Sequence, residues 1–273
     1  MTAVRPKIII FTDSRGRGLQ EFINNHPESG NYDNIINILP GNDLNQISVS
    51  LTQVTNALPT DNYFCVVFAG ICGLTERSNN DGIRKISYPL DSRDIKTQSI
   101  ITTIQDLNQR FANKITVCTI IPASLHKHFA LNNPNQTPPT ELEAEQAALL
   151  EDIETINTHI IQSNTGPNIN INLSKRFHRQ IKKKRQKTTT LSYRRLTRFS
   201  DKELPDGVHL SNAAKSICFN LIYNSAIRNL NLQLAPSSAA EETSQTSSQD
   251  DSDADWDFKR KPSADNRPVT CIL

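Results

Sequence analysis

A chain of 273 residues with 36% hydrophobic content can bury one large core with a tail left over, and two complete domains would be a tight fit. The net charge of +2 conceals a segregation, because Lys175 to Arg198 is dense in Lys and Arg without a single Asp or Glu, and an acidic tail balances it. No run reaches the roughly 18 apolar residues of a membrane span, and no long apolar segment precedes a small-residue cleavage site near Met1, so neither a span nor a standard secretion signal is expected.

Short apolar runs alternate with longer segments of helical periodicity, the pattern of βα units around a parallel sheet. Lys7 to Phe11 (KIIIF) predicts the first buried strand and Ile35 to Leu39 the second. From Asp43 to Leu58, apolar residues at Leu44, Ile47, Leu51, Val54 and Leu58 predict an amphipathic helix with Asp43 as its cap. Tyr63 to Ala69 (YFCVVFA) predicts the third strand, and the polar stretch Glu76 to Lys96 a surface loop. Ser99 to Phe111 predicts a helix, Ile115 to Ile121 a fourth strand ending at Pro122, and Ala130 to Pro139 a second loop. An Ala-, Glu- and Leu-rich helix is expected over Thr140 to Ile161, and the alternation of Ile169 to Leu173 (ININL) suggests a fifth strand near an edge. Ser211 caps a last helix running to Leu230, with Ile217, Leu221, Ile222 and Ile227 inward. A domain over 1–235, with a basic insert at 175–200, thus precedes a tail, 236–273, whose Ser, Gln, Asp and Glu content cannot offset ordering entropy.

Of the five cysteines, three lie in apolar runs, so they read as reduced thiols, and a cytosolic or nuclear setting is expected. Cys271 sits one residue short of the prenylation pattern.

In an open parallel sheet, ligands bind beyond the carboxyl ends of the strands. The first strand leads into Thr12-Asp13-Ser14-Arg15-Gly16, the second into Pro40-Gly41-Asn42, and the third into Gly70-Ile71-Cys72-Gly73; Asp206-Gly207-Val208-His209 precedes the last helix. These segments, over roughly 7 to 230, resemble in order and placement the blocks of SGNH (GDSL-type) hydrolases. The resemblance implies a three-layer αβα, flavodoxin-like fold with a five-stranded, mostly parallel sheet, and acyl or acetyl ester hydrolysis without a cofactor or metal. It implies Ser14 as nucleophile, His209 as general base, Asp206 as the carboxylate orienting it, and Gly41, Gly70 and the third block lining the oxyanion or substrate site. The residues agree, since a Ser hydroxyl needs an imidazole within hydrogen-bond reach and a carboxylate fixing its tautomer.

The third block departs from the family pattern, Gly-x-Asn-Asp, by carrying Cys72 where Asn would donate to the oxyanion. A thiol is a weak donor, and one lost donor costs about 10²- to 10³-fold in turnover. Two readings follow, a slow esterase or a binding module that kept the fold and lost efficient turnover. Cys72 is read as a small buried residue ahead of a nucleophile. Arg15 and Arg17 suit either an anionic substrate group or a solvated helix start. His126 and His128 suit exposed loop histidines better than a metal pair, and Gly16 and Gly18 lack the third glycine of a dinucleotide fingerprint.

The basic segment, including Lys182, Lys183, Lys184, Arg185, Arg194 and Arg195 with Phe177 and Tyr193 interleaved, fits a nucleic-acid contact, an import signal or a solvated loop. Domains of this kind with basic inserts resemble those in proteins of mobile genetic elements, including the first reading frame of some LINE-type retrotransposons. Lys259-Arg260-Lys261 is a second import-like cluster or a balance for the acids from Glu241 to Asp257.

Overall fold

Burial on both faces explains the continuous apolar runs Ile8 to Phe11 and Phe64 to Phe68, whereas the second expected strand is half-buried throughout, at the sheet edge. The computed structural model describes residues 5–59, 62–80, 82–164, 170–185 and 192–234, with backbone only at 176, 178–185 and 192–198. In chain order the elements are β1 (Lys7–Thr12), α1 (Leu19–Asn24), β2 (Asp33–Ile38), α2 (Leu44–Asn56), β3 (Tyr63–Phe68), α3 (Ile71–Leu74), β4 (Glu76–Asn80), β5 (Ile83–Ser87), α4 (Arg93–Phe111), β6 (Ile115–Val117), α5 (Leu125–Asn132), α6 (Glu141–Ser163), β7 (His178–Arg185), β8 (Ser192–Phe199) and α7 (Asn212–Leu234). Strands β2, β1, β3 and β6 form, in that order, a parallel sheet. Ile9, Phe11, Cys65 and Val67 pack with α2, α4 and α6, while Ile8, Ile10, Phe64 and Val66 pack with α1 and α7. Two cores on opposite faces of one sheet make three layers, and the carboxyl ends of β1, β2 and β3 open onto one rim.

The capping of α2 follows the sequence reading. Asp43 Oδ1 accepts from Gln46 N at 2.8 Å, and Gln46 Oε1 accepts from Asp43 N at 2.9 Å. Ser211 Oγ accepts from Ala214 N at 3.1 Å at the start of α7. Its buried face runs through Ala214, Cys218, Phe219, Ile222, Tyr223, Ala226 and Ile227, whereas Ile217, expected inward, is exposed.

The sheet has four strands, not five. β6 stops at Val117, because Asn157 of α6 accepts from Ile120 N at 2.6 Å and donates to Ile120 O at 3.0 Å, taking up the groups a strand ladder would use. Ile171 and Leu173 are buried as expected for a fifth strand. Side chains replace its ladder, however: one backbone bond links Thr119 N to Ile171 O, Ser174 N donates to Thr119 Oγ1, and Lys175 N donates to Asn172 Oδ1. Residue 169 lies outside the described residues.

The segment 76–96 is not a loop throughout, since β4 and β5 pair antiparallel, from Glu76 opposite Ser87 to Asn80 opposite Ile83. His126 and His128 stand on α5 rather than on a loop. β7 and β8 form a second antiparallel pair through the basic segment. Cys65, Cys118 and Cys218 are buried and Cys72 is half-buried. Among the described residues, no helix is long and apolar enough to cross a membrane. The chain divides into units 1–234 and 235–273. The predicted tail, Lys259 to Lys261 and Cys271 lie outside the described residues.

Candidate active site

Ser14 begins a short 3-10 turn directly after β1, where Asp13 Oδ1 accepts from Arg15 N at 2.9 Å and fixes the turn. Ser14 is 5% exposed, and its Oγ stands 3.1 Å from His209 Nε2. The other ring nitrogen, Nδ1, is 2.6 Å from Asp206 Oδ2. A proton on Nδ1 directed at the carboxylate leaves Nε2 bare to accept from the Ser14 hydroxyl, the arrangement a general base requires. The Asp-x-x-His spacing works because Asp206 Oδ1 also accepts from Val208 N at 2.9 Å and His209 N at 2.6 Å, folding the turn around its own carboxylate. Burial pushes the Asp206 carboxyl up, but these bonds, the His209 ring bond foremost, outweigh it and hold the group down at about 2.

A depressed carboxyl stabilises the fold at pH values above its unfolded value of 3.8, and that contribution is lost as pH falls through about 2. Urea unfolding of wild type and Asp206→Asn is therefore expected to differ by a constant amount from pH 7 down to about 4, with the gap closing between about pH 4 and 2. A gap independent of pH would show that the charge of Asp206 contributes nothing.

The turn is docked on the start of α5. Ser124 N donates to Gly207 O at 2.7 Å, and His128 Nδ1 lies 3.2 Å from Asp206 O. Burial lowers His128 below its ordinary value, so its neutral ring can donate there. Gly207 has φ +80°, and a Cβ there would overlap Ser124 O and the His128 backbone nitrogen, so the position demands glycine twice over.

Arg15 does not serve as a substrate-binding group. It is 2% exposed, and its guanidinium donates to Val208 O at 3.0 Å, Pro122 O at 3.1 Å and Ile121 O. The fork ties the Ser14 turn, the segment after β6 and the histidine turn into one piece. Arg17 is exposed and lines a separate groove with Phe22 and Phe219. His128 is occupied by Asp206, and among the described residues no three His, Cys, Asp or Glu side chains group as a metal site would need.

Beside Ser14 lies a pocket of about 250 Å³ lined by Gly41, Cys72, Ile71, Ile86 and Val208 among others, with Arg77 its one charged lining residue. Gly41 and Cys72 thus reach the same space as Ser14, while Gly70 does not line it. Gly70 has φ +130°, and a Cβ there would collide with Ile120, so this glycine serves the packing of the turn after β3. Burial, and then the nearby Asp13 carboxylate, push the Cys72 thiol up, so it is uncharged at neutral pH and lacks the thiolate a nucleophile needs. Sequence reasoning did not find Arg77, because its hairpin reads as a polar loop; Asp81-Gly82 was the available signal.

No family model and no curated protein matches the sequence. Among solved structures, the chain is similar to a lipase/acylhydrolase from Enterococcus faecalis, at 17% identity over 82% of this chain and 96% of that one, with a TM-score of 0.51. It is also similar to a GDSL-like lipase from Bacteroides thetaiotaomicron, at 15% identity over 82% and 88% with a TM-score of 0.48. An acetyl xylan esterase matches at 12% identity over 80% and 98%, with a TM-score of 0.46. The three-layer architecture, the parallel order β2-β1-β3-β6 and the first of these similarities identify the fold of this chain as that of the SGNH hydrolases.

Proposed function

We propose that the protein is a serine esterase acting on small acyl esters, with Ser14, His209 and Asp206 as its catalytic residues. The observation that carries this reading is the pair of contacts at His209, 3.1 Å to Ser14 Oγ and 2.6 Å to Asp206 Oδ2. His209 Nε2 takes the Ser14 proton as Oγ bonds to the ester carbonyl carbon, and Asp206 stabilises the imidazolium. The carbonyl oxygen becomes an oxyanion facing the backbone N–H groups of Ser14 and Gly41. Collapse expels the alcohol, which takes the proton from His209, and water releases the acyl group by the same steps in reverse. Purified protein is expected to release p-nitrophenol from its acetate ester; no release above the buffer rate would refute the reading.

Cys72 is expected to limit the rate. It lines the pocket with Ser14 and Gly41 but has no strong donor to add to the oxyanion site. Cys72→Asn restores an amide donor of similar size, and kcat for the acetate ester is expected to rise about tenfold or more. An unchanged and already high kcat would remove Cys72 as the limiting feature.

A second activity is favoured by the charge of the β7–β8 pair, whose strands carry Arg179, Lys182, Lys183, Lys184, Arg185, Arg194, Arg195 and Arg198 without an Asp or Glu. A nucleic-acid contact on this ribbon fits that charge, because phosphates neutralise such a density of cations. Binding of a fluorescent duplex DNA is expected to weaken steeply with salt. Replacing Lys182, Lys183, Lys184 and Arg185 by Gln should lower the log–log slope by about 3 to 4; a slope unaltered by the four substitutions would exclude the ribbon.

A further inference from the structure

Among the described residues the Arg77 side chain makes no hydrogen bond and no ion pair, and the buried Asp13 carboxyl that its charge reaches lies beyond ion-pair distance. Its neighbour Glu76 is engaged elsewhere, 2.8 Å from Lys96 Nζ. No Asp or Glu lines the pocket, whose other residues are apolar or uncharged.

The hairpin nevertheless holds Arg77 in place. Arg77 lies directly opposite Ile86 in the β4–β5 register, so both belong to one face, and both line the pocket. Ile86 is 3% exposed and packed in the core, which fixes that face. The far end of the hairpin is clamped by Asn133, which accepts from Arg84 N at 3.1 Å and donates to Arg84 O at 2.8 Å. Just past β5, Tyr88 N donates to Glu145 Oε2 at 2.8 Å. The guanidinium is therefore delivered by an anchored strand pair and remains exposed to an incoming ligand. Its charge reaches Asp13, next to the nucleophile, and Cys72, so it acts on the space where an ester would react.

We infer that Arg77 is a substrate-recognition residue that binds an anionic group, carboxylate or phosphate, carried by a short ester close to the scissile carbonyl. The pocket volume of about 250 Å³ admits a small ligand. A guanidinium offers the paired donors that such oxygens accept. This inference rests on the esterase reading and sharpens it, turning a general acyl esterase into one that selects for negative charge.

The test compares kcat/KM on anionic esters and neutral partners with the same type of leaving group, using the full chain and Arg77→Gln. Monomethyl succinate, with a carboxylate on the acyl side, is paired with dimethyl succinate, and 3-acetoxypropyl phosphate, with a phosphate on the alcohol side, is paired with 3-acetoxypropanol. Wild type is expected to prefer at least one anionic ester over its neutral partner by about tenfold, and the preferred ester tells on which side the anion sits. In Arg77→Gln that ratio is expected to fall to near one, and in wild type it should shrink as salt rises. A ratio near one in wild type, or one preserved in Arg77→Gln, overturns the inference. Binding measured by NMR on Ser14→Ala separates its failure from that of the esterase reading, because no turnover is needed. Monomethyl succinate should bind about tenfold tighter than dimethyl succinate, and Arg77→Gln in the Ser14→Ala background should abolish the difference. Equal binding of the two before that change overturns the inference whatever the hydrolysis assays give.

Discussion

Ser14→Ala is expected to lower hydrolysis of p-nitrophenyl acetate by about 10⁴-fold, to a rate set by the remaining donors and binding alone. In the proposed mechanism the hydroxyl bonds to the carbonyl carbon, and His209 Nε2, 3.1 Å away, receives its proton. His209→Ala should therefore cost about as much, and the double variant no more than either, because two groups that act in one step cannot be lost twice. Asp206→Ala should cost less, since the imidazole remains as a base although the carboxylate that orients it and folds its turn is lost. Multiplying losses in the double variant would mean that Ser14 and His209 act separately, contrary to the geometry.

Arg15→Ala is expected to cost about 3–5 kcal/mol of stability, among the largest effects of any single change in this chain. The substitution leaves the carbonyls of Ile121, Pro122 and Val208 without their donor inside the protein and removes the nearest cation from the buried Asp13. Arg15→Lys should recover less than half, because one ammonium cannot span three carbonyls that a planar fork reaches together. Guanidinium unfolding measures both values. A substrate-binding Arg15 would behave otherwise, raising KM while the unfolding midpoint stayed where it was, and that outcome would contradict the buried clamp.

The central strands were legible because their burial on both faces leaves no polar positions. Lys7 to Phe11 and Tyr63 to Ala69 need no periodicity to be recognised, and the cap at Asp43 is a local bond between residues three apart. The segment Ile169 to Leu173 misled for a physical reason. Its alternating burial is the same whether the backbone bonds come from a strand or from the side chains of Thr119 and Asn172. The hairpin from Glu76 to Ser87 escaped because its strands are mostly polar, and strand patterns are read from apolar residues.

Site residues followed a similar division. That Ser14, Asp206 and His209 come together was legible, because the proposed chemistry needs those residue types and a turn that closes on its own carboxylate sets the spacing of the last two. The arginines were not, because direction is invisible in a string of letters. Arg15 adjoins the nucleophile in sequence yet turns inward onto three carbonyls, while Arg77, on a distant hairpin, lines the pocket.

Activation of Ser14 by His209 is tested most directly by incubating the full chain with a fluorophosphonate and locating the adduct by mass spectrometry. A single phosphonyl group on the peptide containing Ser14, lost in a folded His209→Ala variant, is the expected result. No adduct on the wild-type Ser14, a modification at Cys72 in its place, or labelling of Ser14 that persists in His209→Ala would contradict it.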